Sequence, residues 1–188
     1  METTTVKLHS IMNIPNILTI SRVLSVPVFI VLMHDPSPLR VLSAGIVFTL
    51  ASATDWLDGY LARKWGQVTK MGKLLDPIAD KIMVASALVI LVRMEIIPEW
   101  IAIVIIGREF AVTGLRSIAA SDGIVMPAET VGKYKVVSQI LAVQSVLLDY
   151  YLGTGWLNEI GIVIIWISMA LSAYSGVSYF RQYWSKLS

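Results

Sequence analysis

Six apolar stretches, separated by short polar breaks, account for most of the chain. They run over Ile14–Met33, Leu39–Leu61, Gly72–Val92, Pro98–Ala120, Thr130–Tyr151 and Trp156–Phe180. A helix needs about 20 such residues to cross the hydrocarbon of a bilayer, and each stretch meets that length. The breaks at 34–38, 93–98, 121–129 and 153–155 are rich in Pro, Gly, Ser and Asp, which is turn chemistry. The pattern predicts an all-α integral membrane protein with six transmembrane helices in one membrane-embedded domain spanning 1–188. Residues 1–12 are weakly amphipathic and read as a short N-terminal interfacial helix. No Ala-x-Ala-like site follows the first stretch, so it reads as a span rather than a cleaved signal.

Composition strengthens this picture. Hydrophobic residues make up 56% of the chain, charged residues only 15%, and the mean hydropathy is +0.72. A soluble domain usually carries about 25% charged residues, so lipid must cover this surface. The absence of cysteine excludes a disulfide scaffold, a thiol nucleophile and Cys-ligated metals, and His9 and His34 are too few for a histidine site. The net charge of +2 says little, but its distribution says more. With six spans, thirteen of the fifteen Lys and Arg residues fall on the side of the termini, and only Arg40 and Arg93 on the other. By the positive-inside rule the basic side is cytoplasmic. Trp65, Trp100, Trp156 and Trp184 stand near span ends, where interfacial aromatics belong.

Acidic residues within spans are costly and default to functional candidates. Asp55 and Asp58 sit near the cytoplasmic end of the second span, and Asp76 and Asp80 near that of the third. At about 100° per residue, each pair shares a helix face. The connection between the two spans makes them antiparallel neighbours, so four carboxylates converge. Such a cluster repels itself unless divalent cations intervene, and oxygen-only ligands suit Mg²⁺, Mn²⁺ or Ca²⁺. Gly59, Ala62 and Gly72 share the faces of these acids and leave room for a phosphate-bearing ligand. The plainer alternatives are an N-cap at Asp76 before Pro77, and pairing of Asp58 with Arg63 or of Asp80 with nearby lysines.

These residues spell D-x2-D-G-x2-A-R-x8-G-x3-D-x3-D over positions 55–80. The pattern resembles the signature of the CDP-alcohol phosphatidyltransferase family. Further likeness lies in Asn13–Thr19 with Arg22, in Gly107-Arg108-Glu109-Phe110, in Leu115-Arg116 and in Gly132-Lys133-Tyr134-Lys135. These are similar to the bacterial branch of the family that uses glycerol 3-phosphate. The likeness runs to about residue 140, and the last span carries no recognised motif.

The resemblance implies the CDP-alcohol phosphotransferase fold, a homodimer, and a polar cavity open to the cytoplasm from the bacterial inner membrane. It implies two ions of Mg²⁺ or Mn²⁺ held by Asp55, Asp58 and Asp76, with Asp80 as general base touching the second. CDP-diacylglycerol would meet Asp58, Gly59, Arg63 and Thr69, together with Asn16, Thr19, Arg22, Ala62 and Gly72. No Ser–His pair or cysteine offers a covalent nucleophile, so direct displacement is expected. Arg108 and Arg116 within the fourth span, with Lys133 and Lys135 opening the fifth, would hold an acceptor phosphate, and glycerol 3-phosphate fits. Their plainer reading is the positive-inside rule plus a pairing of either arginine with Glu109, although adjacent helix residues diverge by about 100°. Ser168, Ser172 and Gly176 form a small-residue stripe for helix packing. Membrane lipids are expected partners, and nucleic acid is not. Two rivals stand beside this reading. One is the same chemistry with serine, inositol phosphate or phosphatidylglycerol as acceptor; the other is a divalent-cation transporter.

The charge asymmetry makes a direct prediction. Single cysteines at Thr69 and Asp122 resist an impermeant thiol reagent in whole cells and react after permeabilisation. Labelling of both in intact cells reverses the orientation.

Overall fold

A computed structural model describes residues 14–65, 70–124, 126 and 130–187, with side chains described over 17–54, 78–79, 81–124, 126, 132 and 134–185. Six helices lie among the described residues: α1 (Ile14–His34), α2 (Pro38–Trp65), α3 (Lys70–Arg93), α4 (Glu99–Ser121), α5 (Thr130–Leu152) and α6 (Trp156–Leu187). Each covers one apolar stretch. The largest differences are at two cytoplasm-assigned ends, where α2 continues past Leu61 to Trp65 and α6 past Phe180 to Leu187. A hydropathy ruler measures the oily thickness, whereas the hydrogen-bonded helix continues into polar sequence. The proposed lead-in helix over 1–12 lies outside the described residues.

Two of the described helices contain windows long and apolar enough to cross a membrane, Ile17–His34 and Trp156–Ser185. Only 28% and 33% of those windows are buried within the protein, so their apolar surfaces face outward and require lipid. The chain is a membrane protein. The other helices are interrupted by charge, as α4 is by Arg108, Glu109 and Arg116.

Two compact units are distinguished, Met1–Ala87 with Tyr150–Gly153, and Leu88–Asp149 with Thr154–Ser188. In the first, α1 packs on α2. Thr19, Arg22, Val26, Phe29 and Met33 recur every three or four residues on the buried face of α1, and Val41, Ala44, Phe48 and Ala51 do the same on α2. The Phe29 and Phe48 rings meet with centroids 5.9 Å apart.

In the second unit α4 packs on α6. Ile101, Ile105, Val112, Leu115 and Ala119 form the buried stripe of α4. Ile165, Ser168, Ser172, Ser175 and Tyr179 line the buried face of α6. The small stripe foreseen on α6 thus packs within this chain. Trp100 meets Trp166 edge-on at 5.2 Å. At the cytoplasm-assigned end, Gly123 adopts φ 74°, Ile124 N–H reaches the Ala119 carbonyl and Gly123 N–H that of Ala120, which closes α4 in a Schellman turn. Ile124 and Tyr183 pack against the core of Val112, Leu115, Ala119, Met126 and Tyr179 beside it.

The tightest helix contact predicts a stability effect. A Cβ at Gly161 would stand 2.6 Å from Val146 Cγ2 and 2.9 Å from the Ala142 carbonyl oxygen. Gly161→Ala therefore lowers thermal stability in detergent, by about 1–3 kcal/mol of overpacking, because the carbonyl belongs to a helix and cannot turn aside. Gly114→Ala, whose Cβ meets nothing within 4 Å among the described residues, is neutral or stabilising.

Candidate active site

All four signature aspartates fall in the first unit, Asp55 and Asp58 in α2 and Asp76 and Asp80 in α3. The helical spacing on which their pairing rests is therefore present in the backbone. Their side chains, and those of Gly59, Ala62, Arg63 and Gly72, lie outside the described set, as do Thr69 and the side chain of Asn16. The structure does decide one alternative. Helix α3 begins at Lys70, so Asp76 and Pro77 stand inside it and Asp76 is no N-cap.

Thr19 and Arg22 are turned into the α1–α2 seam, where Arg22 is only 2% exposed. Its Nε donates to the Ala51 carbonyl at 3.2 Å. Ala51 precedes Asp55 by one helical turn, so Arg22 is held at the approach to the acidic signature. Beside it a cavity of about 370 Å³ is lined from Ser21 to Val28 on α1 and from Val47 to Thr54 on α2. The hydroxyls of Ser21, Ser25 and Thr54 are already spent on carbonyls of their own helices. The wall therefore offers hydrocarbon more than hydrogen bonds.

The second unit holds a buried polar layer. Arg108 occupies the stripe position between Ile105 and Val112 of α4, where helical periodicity calls for an apolar side chain. Its Nη2 donates to Ser175 Oγ at 2.5 Å, and its Nη1 lies 3.4 Å from Glu109 Oε1. Tyr179 places its ring centroid 5.7 Å from the guanidinium carbon. Glu109 Oε1 also accepts from Lys135 Nζ on α5. The side chains of Arg108, Glu109 and Lys135 are 10%, 18% and 3% exposed. Two cations thus share one carboxylate oxygen away from most bulk water. Nε2 of Gln139 and Oγ of Ser172, both in deeply buried residues, have no hydrogen-bond partner among the described residues. Buried polar atoms of this kind cost about 1–3 kcal/mol unless satisfied.

Of the four basic residues assigned to the acceptor, the structure joins Arg108 to Lys135 through Glu109. Arg116 is exposed on α4 rather than part of this layer, and the Lys133 side chain is outside the described set. The anticipated Arg108–Glu109 pairing exists, but it is long. The short partner of Arg108 is Ser175, which was not among the residues expected from the sequence. The seam periodicity of α6, with serines at three successive buried positions, was the available signal.

Residues 12–174 match the family model described as CDP-alcohol phosphatidyltransferase. A Bacillus subtilis protein named CDP-diacylglycerol–glycerol-3-phosphate 3-phosphatidyltransferase is 40% identical over 187 residues, covering 93% of this chain and 97% of its own. A Pseudomonas fluorescens protein of the same name is 42% identical over 182 residues, covering 94% and 92%. One from Rickettsia bellii is 39% identical over 171 residues, covering 90% and 94%.

The shared carboxylate sets the stability of the layer. Glu109→Ala removes the carboxylate that Arg108 and Lys135 share and destabilises by about 3–5 kcal/mol in denaturant or thermal unfolding. The double variant Glu109→Gln with Lys135→Met removes an opposite pair together and loses much less. Equal losses in the two variants would show that Glu109 is not the counter-charge.

Proposed function

The chain belongs to the CDP-alcohol phosphatidyltransferase family, and on that premise we propose that it transfers the phosphatidyl group of CDP-diacylglycerol to glycerol 3-phosphate, releasing CMP. The observation that carries the choice of acceptor is the likeness to relatives named for glycerol 3-phosphate, together with an arginine and a lysine gathered around Glu109. A phosphate monoester suits such cations, and the arginine fork suits its oxygens.

The chemistry follows from the residues at hand. Asp55, Asp58 and Asp76, with Asp80 beside them in the signature, are hard oxygen donors that fit two Mg²⁺ or Mn²⁺ ions. Such ions, when bound there, supply charge neutralisation at the donor's pyrophosphate. Gly59, Ala62 and Gly72 leave space for the nucleotide. Arg22, Arg63 and the hydroxyl of Thr69 meet its phosphates, with Asn16 and Thr19 at the entrance to the α1–α2 seam. Asp80 takes the proton from the acceptor hydroxyl as its oxygen attacks the phosphorus bearing diacylglycerol. One P–O bond forms to glycerol 3-phosphate and the P–O bond to CMP breaks. Arg108 and Lys135, which Glu109 gathers, hold the acceptor's own phosphate, with Lys133 beside Lys135 in sequence; Arg116, exposed on α4, is left outside this set.

The membrane setting belongs to the same reading. Six spans place the acids at the cytoplasmic face of a bacterial inner membrane, where the lipid tails remain in the bilayer and the soluble acceptor enters from water. The protein works as a homodimer. A divalent-cation transporter would need polar groups continuing to the far side. Yet Asp35, Glu95, Glu99, Asp149 and Glu159 stand in loops or at helix ends, and the Asp149 carboxylate accepts from Thr154 Oγ1 and Gly155 N–H.

The test is CMP release by purified protein given CDP-diacylglycerol and a panel of glycerol 3-phosphate, serine, inositol phosphate and phosphatidylglycerol. Turnover with glycerol 3-phosphate alone is expected, and preference for serine sinks the proposal. Asp80→Asn loses about 10²–10⁴ in turnover while still binding donor, whereas Asp55→Asn loses donor binding as well. Arg108→Ala raises KM for glycerol 3-phosphate about ten- to a hundredfold and leaves KM for CDP-diacylglycerol nearly unchanged.

A further inference from the structure

Arg108 is housed largely by a helix other than its own. Ser175, Gly176 and Tyr179 lie at i, i+1 and i+4 on α6, and all three meet it. Ser175 Oγ takes Nη2 at 2.5 Å, and the Tyr179 ring lies 5.7 Å from the guanidinium carbon. Gly176 supports the stem, since a Cβ built there would stand 3.0 Å from Arg108 Cγ and 3.9 Å from Nε. On the far side Glu109 limits the guanidinium through Nη1. Hydroxyl, ring, carboxylate and bare backbone thus restrain four different parts of one side chain.

Alanine ordinarily favours a helix interior over glycine, so a glycine at this contact calls for a local cause. The close approach of the Arg108 stem supplies it. A methyl group at 176 removes no charge and no hydrogen bond. It pushes the stem of Arg108 by a few tenths of an ångström and moves the fork with it. Fork-to-phosphate recognition is bidentate and planar, so its strength depends on where the fork is held. A pre-held fork also avoids ordering a flexible side chain at the moment of binding.

We propose that Ser175, Gly176 and Tyr179 are positioning residues that fix Arg108 for the acceptor's phosphate, making α6 the specificity wall of the acceptor site. This rests on the acceptor reading given above. The last helix thereby determines how well a phosphorylated alcohol is told from an unphosphorylated one.

The experiment is a double-mutant cycle between Gly176→Ala and Arg108→Ala, read as KM for glycerol 3-phosphate, KM for CDP-diacylglycerol and thermal midpoint. Gly176→Ala alone raises KM for glycerol 3-phosphate about tenfold, with KM for CDP-diacylglycerol and the midpoint nearly unchanged. In the Arg108→Ala background it adds nothing, because the stem it displaces is gone. Ser175→Ala shifts the same KM in the same direction, Ser175→Thr restores it by keeping the hydroxyl, and this pair carries the test if Gly176→Ala does not fold. Equal rises in both KM values, a lowered midpoint with the KM ratio unchanged, or additive effects in the cycle each overturn the proposal. Additivity in an enzyme that uses glycerol 3-phosphate overturns this inference alone. A wild-type protein that prefers an unphosphorylated acceptor overturns the acceptor reading and this one together.

Discussion

A guanidinium on the apolar stripe of α4 is the constraint to which the second unit answers. Arg108 stands between Ile105 and Val112, away from bulk water and unable to lose its charge. A cation there must be matched by partners or it destabilises the fold. Glu109 matches it only partly, since neighbouring helix residues diverge and the contact is 3.4 Å long. The same carboxylate is claimed by Lys135, which again leaves charge to be dispersed. Ser175 and Tyr179 take up part of that need through a hydroxyl and a ring face. The serines of α6 are consequences of this layer: they are small enough for close helix packing and polar enough to sit beside ions.

The first unit meets a similar constraint by a shorter route. Arg22 also occupies a seam position, in register with Thr19, Val26 and Phe29. Its Nε reaches a backbone carbonyl of α2. The same carbonyl also accepts from Thr54 Oγ1 at 2.8 Å, so a guanidinium and a hydroxyl share it at the seam. The arginine is tied to the turn immediately before Asp55. Both units therefore place buried cations at helix seams, and in both the apolar residues above and below hold the cation in register.

Most of the helical architecture was legible in the chain because each apolar stretch of about 20 residues between Pro- and Gly-rich breaks is long enough for a helix. Six apolar stretches became six helices, and the breaks fell where Pro and Gly stand. The overruns at Trp65 and Leu187 were illegible by that ruler, since hydropathy stops where polar sequence starts while the helix continues. The division of the chain into two compact units was also beyond it, because periodicity describes each helix and not which helices share a core. At the site, the signature acids were legible because charge in a membrane segment is conspicuous. The partners of Arg108 were not, because serine, glycine and tyrosine are ordinary residues in any membrane helix. Only their register against Arg108 gives them meaning, and register is a property of the packed structure.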